Sequence, residues 1–436
     1  MMKATEDGGI PAGMTAREFI RQRILDRLTE EGADDSATQK EDQVRVAIQT
    51  EINRYEEEAN RGLLPVHTNL GELRRQLELT FLEAGPLTKY FNHEVPVYEV
   101  VVKGGVTSIV TTNGVLEVDA DPIGEEEMLA IVTRLLADAH TGVDASRQVV
   151  TKMIWDNSVR ATVSIPNVAT MLDATFRVYR EQTARLRQLV DWNSLTLVAA
   201  NLLASLMLTR AGIVISGAPG SGKTTLLAAM IRQIHQSNNV RIVQEARELS
   251  APAHPGGDWV PDGDESIRSL VNLALTAGPN WLGVSEVRGS EAVELLRASN
   301  AGCGFFTTVH AESATLAMGA LSDLAILAGN NLERSAVSRR FSSLIDVSVF
   351  CEAEPLHLVD PDKGMRRQVM EISAVPSFLD ANDDFVLNPI FKRERLGAPL
   401  EFQGVGSLGE LAPMIDRNMQ GGITAQGLCE GTDTLL

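Results

Sequence analysis

Apolar residues recur at helical spacing through the first eighty positions. Ile20, Ile24 and Leu28 fall on one face, Val44, Ile48, Ile52 and Tyr55 on a second, and Leu70, Leu73, Leu77 and Phe81 on a third that starts near Asn69. Ahead of the first run, Thr15-x-x-Glu18 is a capping box, in which each side chain accepts from the other residue's backbone N–H. Residues 15–83 thus predict three amphipathic helices with acidic, small-residue joints (EEGADDSATQKED). They form a bundle packed on itself or a module that docks a partner.

From about residue 96 the period changes to two. Tyr98–Lys103 and Thr107–Thr112 alternate as strands, and Asn113-Gly114 before Val115–Val118 is a type I′ hairpin signal. A helix over Glu125–Ala139 follows, then two strands around an Asp156-Asn157 turn, then a strand over Thr175–Arg180. This predicts an α+β domain ending near 185.

Residues 190–350 alternate helical stretches with short apolar strands at Ile213–Ser216, Arg241–Val243, Leu282–Val284, Phe305–Val309 and Val347–Phe350. Such a rhythm predicts βα units on a parallel sheet, an α/β fold. Hairpins are expected over Cys351–Val375, and a Gly-rich tail from about 397, without strong periodicity, is expected to be mobile. The predicted divisions are a helical region (1–85), an α+β domain (86–188), an α/β domain (189–350), a hairpin subdomain (351–396) and the tail (397–436). No internal repeat is visible.

Composition narrows the chemistry. In 436 residues there are 39 Lys plus Arg against 58 Asp plus Glu, a formal net charge of −19. That balance disfavours sequence-independent binding to nucleic acid, which depends on neutralised phosphates. Aromatic residues, at 5%, are too few for a single-strand stacking platform. Cys303, Cys351 and Cys429 are widely separated and show no metal spacing, as expected in a reducing compartment. The N-terminus has no signal-peptide pattern. The longest apolar run, Leu195 to Leu208, is interrupted by Asn201 and Ser205 and falls short of the roughly 20 residues a membrane span needs. A soluble, cytoplasmic protein is expected.

The strongest chemical signal is Gly217-Ala-Pro-Gly220-Ser221-Gly222-Lys223-Thr224, which fits G-x-x-x-x-G-K-[ST]. It follows an apolar strand and opens a helix that includes Thr225, so phosphates would meet backbone amides at a helix N-terminus. Lys223 would reach the β- and γ-phosphates, and the Thr224 hydroxyl would ligate Mg²⁺. Asn280–Glu286 is an apolar run ending in an acid, suited to orient water or hold Mg²⁺, directly or through a water. Val243-Gln244-Glu245-Ala-Arg-Glu248 follows another strand and brings acids to the edge where α/β ligands sit. Phe305–His310 ends a further strand with a histidine, next to Ser313 as a helix cap.

These elements together resemble the type II/type IV secretion ATPases, most closely the CpaF-like branch that powers tight-adherence (Flp) pilus assembly. The resemblance covers roughly residues 95–375. It rests on the Walker A loop, the Gln244–Glu248 stretch, Ser285-Glu286-Val287-Arg288-Gly289-Ser290-Glu291-Ala292, and Thr307-Thr-Val-His310-Ala. It implies a RecA-like motor domain behind a smaller α+β domain and a helical bundle. It also implies a homohexameric ring, ATP and Mg²⁺ as ligands, and work done on an inner-membrane platform protein from the inner face of the membrane. By the same resemblance Glu286, assisted by Glu245, orients water; His310 senses the γ-phosphate; Arg288 pairs with Glu286 or the phosphate. Arg177 and Arg180, and Arg160 after the Asp156-Asn157 turn, would complete the nucleotide site.

The chain departs from the family pattern at several positions. Gln244 stands where an acid is usual, Ser285 replaces a glycine, Thr276 and Gly278 replace arginines, and Cys303 replaces a histidine. An amide positions water but does not accept its proton. These departures motivate a second reading, a slow or inactive nucleotide-binding paralogue acting as scaffold or regulator. A third, a nucleic-acid translocase, is opposed by the charge.

Overall fold

The computed structural model describes residues 10–11, 14–31, 37–111, 116–118, 123–142, 149–165, 168–251, 253–261, 266–328, 332–356, 364–419 and 421–436. The chain divides into two compact units. The first runs to Val178 and the second covers Tyr179–Leu436, with 156–158 grouped with the second.

In the first unit, helices α1 (Ala16–Glu31), α2 (Ala37–Asn60) and α3 (Leu70–Leu82) bury the predicted faces against one another, with Ile20, Ile24, Ile48, Tyr55, Leu73 and Leu77 at the centre. The capping box is present: the Glu18 N–H donates to Thr15 Oγ1 at 3.2 Å and the Thr15 N–H to Glu18 Oε2 at 2.7 Å. After a short helix, α4 (Thr88–Phe91), come β1 (Val97–Lys103), β2 (Val106–Thr111), β3 (Leu116–Val118), α5 (Glu125–Asp138), β4 (Val149–Ile154), β5 (Val159–Ser164) and β6 (Asp173–Val178). The sheet order is β3-β2-β1-β6-β5-β4, antiparallel throughout. Its alternation puts Val100, Val102, Ala161, Val163, Ala174 and Phe176 into one core with Met128, Ile131 and Leu135 of α5. The predicted Asn113-Gly114 turn lies outside the described residues. The helices and the sheet belong to one unit; Arg17 of α1 reaches Glu127 of α5 at 2.6 Å.

The second unit carries α6 (Leu186–Asp191), α7 (Leu197–Leu206), β7 (Gly212–Ser216), α8 (Lys223–Ile231), β8 (Val240–Val243), β9 (Gly256–Trp259), α9 (Ile267–Thr276) and β10 (Trp281–Val284). Then follow α10 (Glu291–Ala301), β11 (Gly304–Val309), α11 (Ala314–Ala328), α12 (Arg334–Leu344), β12 (Val347–Pro355), β13 (Met365–Ala374), β14 (Asn388–Arg393) and β15 (Leu400–Phe402). Nine strands form one sheet in the order β15-β14-β13-β12-β7-β11-β10-β8-β9, parallel from β12 to β9 and antiparallel beyond β12. The central strands β7, β10 and β11 are buried along their whole length, which is why they are apolar without alternation. Helices α7 and α8 cover one face, and α9 to α12 the other. This is the expected α/β fold with a RecA-like sheet. The strands of 365–402 extend that sheet. Strand β9 was not anticipated, because Gly256-Gly-Asp-Trp lacks strand composition and pairs only at the edge.

The tail corrects an expectation. Residues from 397 onward are folded onto the unit through β15, α13 (Leu411–Asn418) and α14 (Ala425–Glu430), with Leu408, Leu411, Ile415, Leu428 and Cys429 buried. Asn201 of α7 anchors the end, its Oδ1 accepting from the Leu435 and Leu436 N–H groups at 2.9 and 3.1 Å. Each helix offers too few apolar positions for a visible period, and the glycines at 404, 409, 421, 422 and 431 mark turns with positive φ. Among the described residues, no helix is long and apolar enough to cross a membrane.

Candidate functional site

Loops that follow parallel strands meet at the sheet's C-terminal edge. Because β11 lies between β7 and β10, the residue just beyond it, His310, falls between Gly217 beyond β7 and Glu286 beyond β10. Two threonines of β11 set that register. Thr307 Oγ1 donates to the Val284 carbonyl at 2.8 Å and Thr308 Oγ1 to the Ser285 carbonyl at 2.7 Å. The Thr-Thr-x-His motif is thus a spacer that places the histidine against the acid.

The Gly217–Thr224 loop has the backbone its sequence predicts. A Cβ on Gly217 would stand 2.2 Å from the Cys351 carbonyl oxygen of β12, so only glycine lets the loop leave the sheet there. Gly222 is left-handed (φ +95°) and caps α8 without a side-chain hydrogen bond. The first amides of α8 therefore lack a capping side chain and are available to an anion. A Cβ on Gly220 would meet nothing within 4 Å, and buried Ser221 Oγ has no hydrogen-bond partner. An open cradle with an unsatisfied hydroxyl and helix-end amides fits a phosphate chain.

Lys223 is buried, and three acceptors lie in reach of its three donors: the Gly217 and Ala218 carbonyls, each at 2.9 Å, and His310 Nδ1 at 3.3 Å. His310 Nδ1 also lies 3.2 Å from the Gly217 carbonyl, and its Nε2 approaches Glu286 Oε1 at 2.5 Å. Arg288 clamps both acids, with Nη2 to Glu286 Oε2 at 2.5 Å and Nη1 to Glu245 Oε2 at 2.7 Å. Burial opposes ionisation of Glu286. The Arg288 hydrogen bond and charge, with His310 and Lys223 behind them, outweigh it and hold the carboxyl below its ordinary range. Burial likewise works against the Arg288 charge, and Glu286 and then Glu245 more than restore it. The carboxylate is therefore ionised and held in place.

Gln244 is not at this site. It is fully buried; its Nε2 donates to the Leu249 carbonyl at 2.8 Å, and its Oε1 accepts from the Glu248 and Leu249 N–H groups at 3.1 and 2.9 Å. The amide staples its own loop, a task that needs both a donor and an acceptor. Thr276 and Gly278 precede β10, at the opposite end of that strand from Glu286; Thr276 Oγ1 bonds the Leu273 carbonyl and Gly278 takes a positive φ. Ser313 caps α11 as expected, accepting from the Leu316 N–H at 3.1 Å.

Thr224 and Thr225 sit in the first turn of α8. Thr225 Oγ1 donates to Gln182 Oε1 at 2.9 Å. A second residue reaches the loop from β13: Arg367 Nε donates to the Gly220 carbonyl at 2.9 Å. Neither Gln182 nor Arg367 carries a motif, so the sequence offered no signal for them. Arg160 and Arg177 belong to the first unit, directly opposite each other on β5 and β6, with Glu99 of β1 next in the row. The strand expected over Thr175–Arg180 is observed as β6, Asp173–Val178, so Arg180 lies beyond its end, in the second unit.

The strand order and the loop define a P-loop protein whose motif histidine and acid meet the phosphate cradle. The family described as "Type II/IV secretion system protein" matches residues 144–368, and the chain belongs to that family. A protein named for conjugal transfer in Mycobacterium tuberculosis is 32% identical over 252 residues, 56% of this chain and 68% of its own length. The type IV secretion system protein VirB11 of Bartonella quintana is 32% identical over 152 residues, 32% of this chain and 42% of its own. Among solved structures, the pilus retraction motor PilT with bound ADP is similar over 79% of this chain and 86% of its own, at 15% identity and a TM-score of 0.46.

Proposed function

We propose that the protein is an ATP-hydrolysing motor of a secretion or pilus-assembly machine of this family. The observation that carries the reading is the continuous path from Lys223 through His310 to Glu286 at the ends of three adjacent strands. Lys223 has no donor to spare, so a phosphate oxygen must displace one present acceptor; the 3.3 Å bond to His310 is the longest and yields first. Nucleotide binding thereby frees the histidine that holds Glu286. Ionised Glu286 orients the attacking water, Glu245 supports it, and Arg288 turns from the acids toward the developing phosphate charge. Mg²⁺, bound with the nucleotide by Thr224 and Glu286, would neutralise phosphate charge. The products are ADP and phosphate.

The finer reading is that of a homohexamer of the tight-adherence pilus branch, acting on an inner-membrane platform protein from the inner face of the membrane. Arg160, Arg177 and Arg180 would complete the site on closure. Its support is the motif combination Glu286-Val-Arg288-Gly with Thr307-x-x-His310-Ala. Gln244, the main motive for an inactive scaffold, is accounted for by its loop bonds. Phosphate release by purified wild type, Glu286→Gln and Lys223→Ala tests the reading. Hydrolysis should vanish in both variants while Glu286→Gln still binds Mg-ATP; equal release from all three would overturn it.

A further inference from the structure

The wall of the phosphate loop comes from a segment far away in sequence. Strand β12 runs beside β7 to Phe350, opposite Ser216, and then continues past the sheet edge to Pro355, paired with the start of β13. The β12–β13 hairpin therefore stands alongside the loop that leaves β7. Its two consecutive arginines point to opposite faces of β13. Arg366 pairs with the carboxylate of Glu354 at 3.0 Å. Arg367 turns to the loop: its Nε donates to the Gly220 carbonyl, and its Cβ and Cδ would lie 3.7 Å from a Cβ on Gly222. The Arg367 carbonyl is fixed in turn by Ser194 Oγ at 2.8 Å.

We propose that Arg367 is a positioning residue for the nucleotide phosphates, acting through the Gly220 carbonyl from the hairpin of the same chain. Two physical effects combine. A charge-assisted bond to the carbonyl holds that peptide oxygen turned toward the arginine and away from an approaching anion. The guanidinium also brings a permanent positive charge to the rim of a cradle that otherwise depends on Lys223 and helix-end amides. Lysine at this position would keep the charge, whereas glutamine would keep only a donor.

The inference rests on the nucleotide-binding reading, and the test separates the two. Calorimetric binding of Mg-ADP, Mg-ATP and inorganic pyrophosphate is measured for wild type, Lys223→Ala, and Arg367→Ala, Arg367→Lys and Arg367→Gln. If wild type binds none of them, the reading of the whole site fails. If wild type binds and Lys223→Ala does not, the arginine series decides. Arg367→Ala and Arg367→Gln should weaken all three ligands by about tenfold, as loss of a charge-assisted contact implies, with Arg367→Lys within about threefold of wild type. The thermal midpoint of the ligand-free Lys and Gln variants should match wild type, and these two carry the comparison if the alanine variant does not fold. Binding within twofold of wild type throughout, rescue by glutamine equal to lysine, or unchanged pyrophosphate binding would each overturn the proposal.

Discussion

Replacing Gln244 by glutamate restores the acid that the family pattern favours at this position, yet the structure predicts a loss. The introduced carboxylate could still accept from the Glu248 and Leu249 N–H groups. It would, however, face the Leu249 carbonyl, at 2.8 Å from the present Nε2, with no proton between two oxygens. In a fully buried position only protonation relieves that contact, so the folded-state pKa of the new group rises above the ordinary value near 4.3. A carboxyl kept protonated to pH 7 forgoes about 1.36 kcal/mol for each of roughly 2.7 pH units, an upper bound of about 4 kcal/mol. The sign follows from linkage: where the folded state binds the extra proton, stability falls as pH rises. The deficit of Gln244→Glu against wild type should thus be small near pH 4.5 and reach about 2–4 kcal/mol by pH 8. Urea midpoints of both proteins at the two pH values measure it. A deficit independent of pH, or faster phosphate release by the variant, would refute the staple and return Gln244 to the water.

Two other perturbations probe different terms. Asp346 is pushed up to about 6 by burial and the nearby Glu410, against the Gly212 N–H that it accepts at 2.7 Å. Wild-type stability should therefore fall as pH rises from about 4 to 6, and Asp346→Asn should be more stable above pH 6 by up to about 3 kcal/mol, with the gain gone near pH 4; equal melting at pH 7.5 would count against it. Arg288→Ala leaves Glu286 buried without its main stabilising partner, so its pKa should rise. Phosphate release should drop at least about tenfold, with the acid limb of the rate profile moved to higher pH; an unmoved limb would contradict the clamp.

The parts of the molecule that were legible in the sequence are those whose physics is local. Strands β7, β10 and β11 announce themselves because burial on both faces leaves them without alternating exposed polar positions, and the phosphate loop because Gly217, Gly220 and Gly222 take a positive φ, which is a local requirement. His310 and Glu286 were found together because each follows such a strand. Gln244 misled: beside Glu245 it looked like an altered catalytic position, and only side-chain direction separates the two. Arg367 and Gln182 went unseen because their partners are distant in the chain, and sequence spacing says nothing of which strands will be neighbours. The tail failed for another reason. Six- and eight-residue helices are stabilised by docking on α7 and the sheet rather than by their own periodicity.

The position of β7 between β11 and β12 also bears on how the chain matures. During synthesis the Gly217–Thr224 segment leaves the ribosome before either flanking strand has been made, and β13 with its arginine follows later still. A nascent chain halted in α9 would carry the complete motif with neither neighbour for its strand and no hairpin beside it. Competence to hold a nucleotide is therefore acquired late, as a property of the finished sheet, and a fragment bearing the motif alone should behave as an inert peptide.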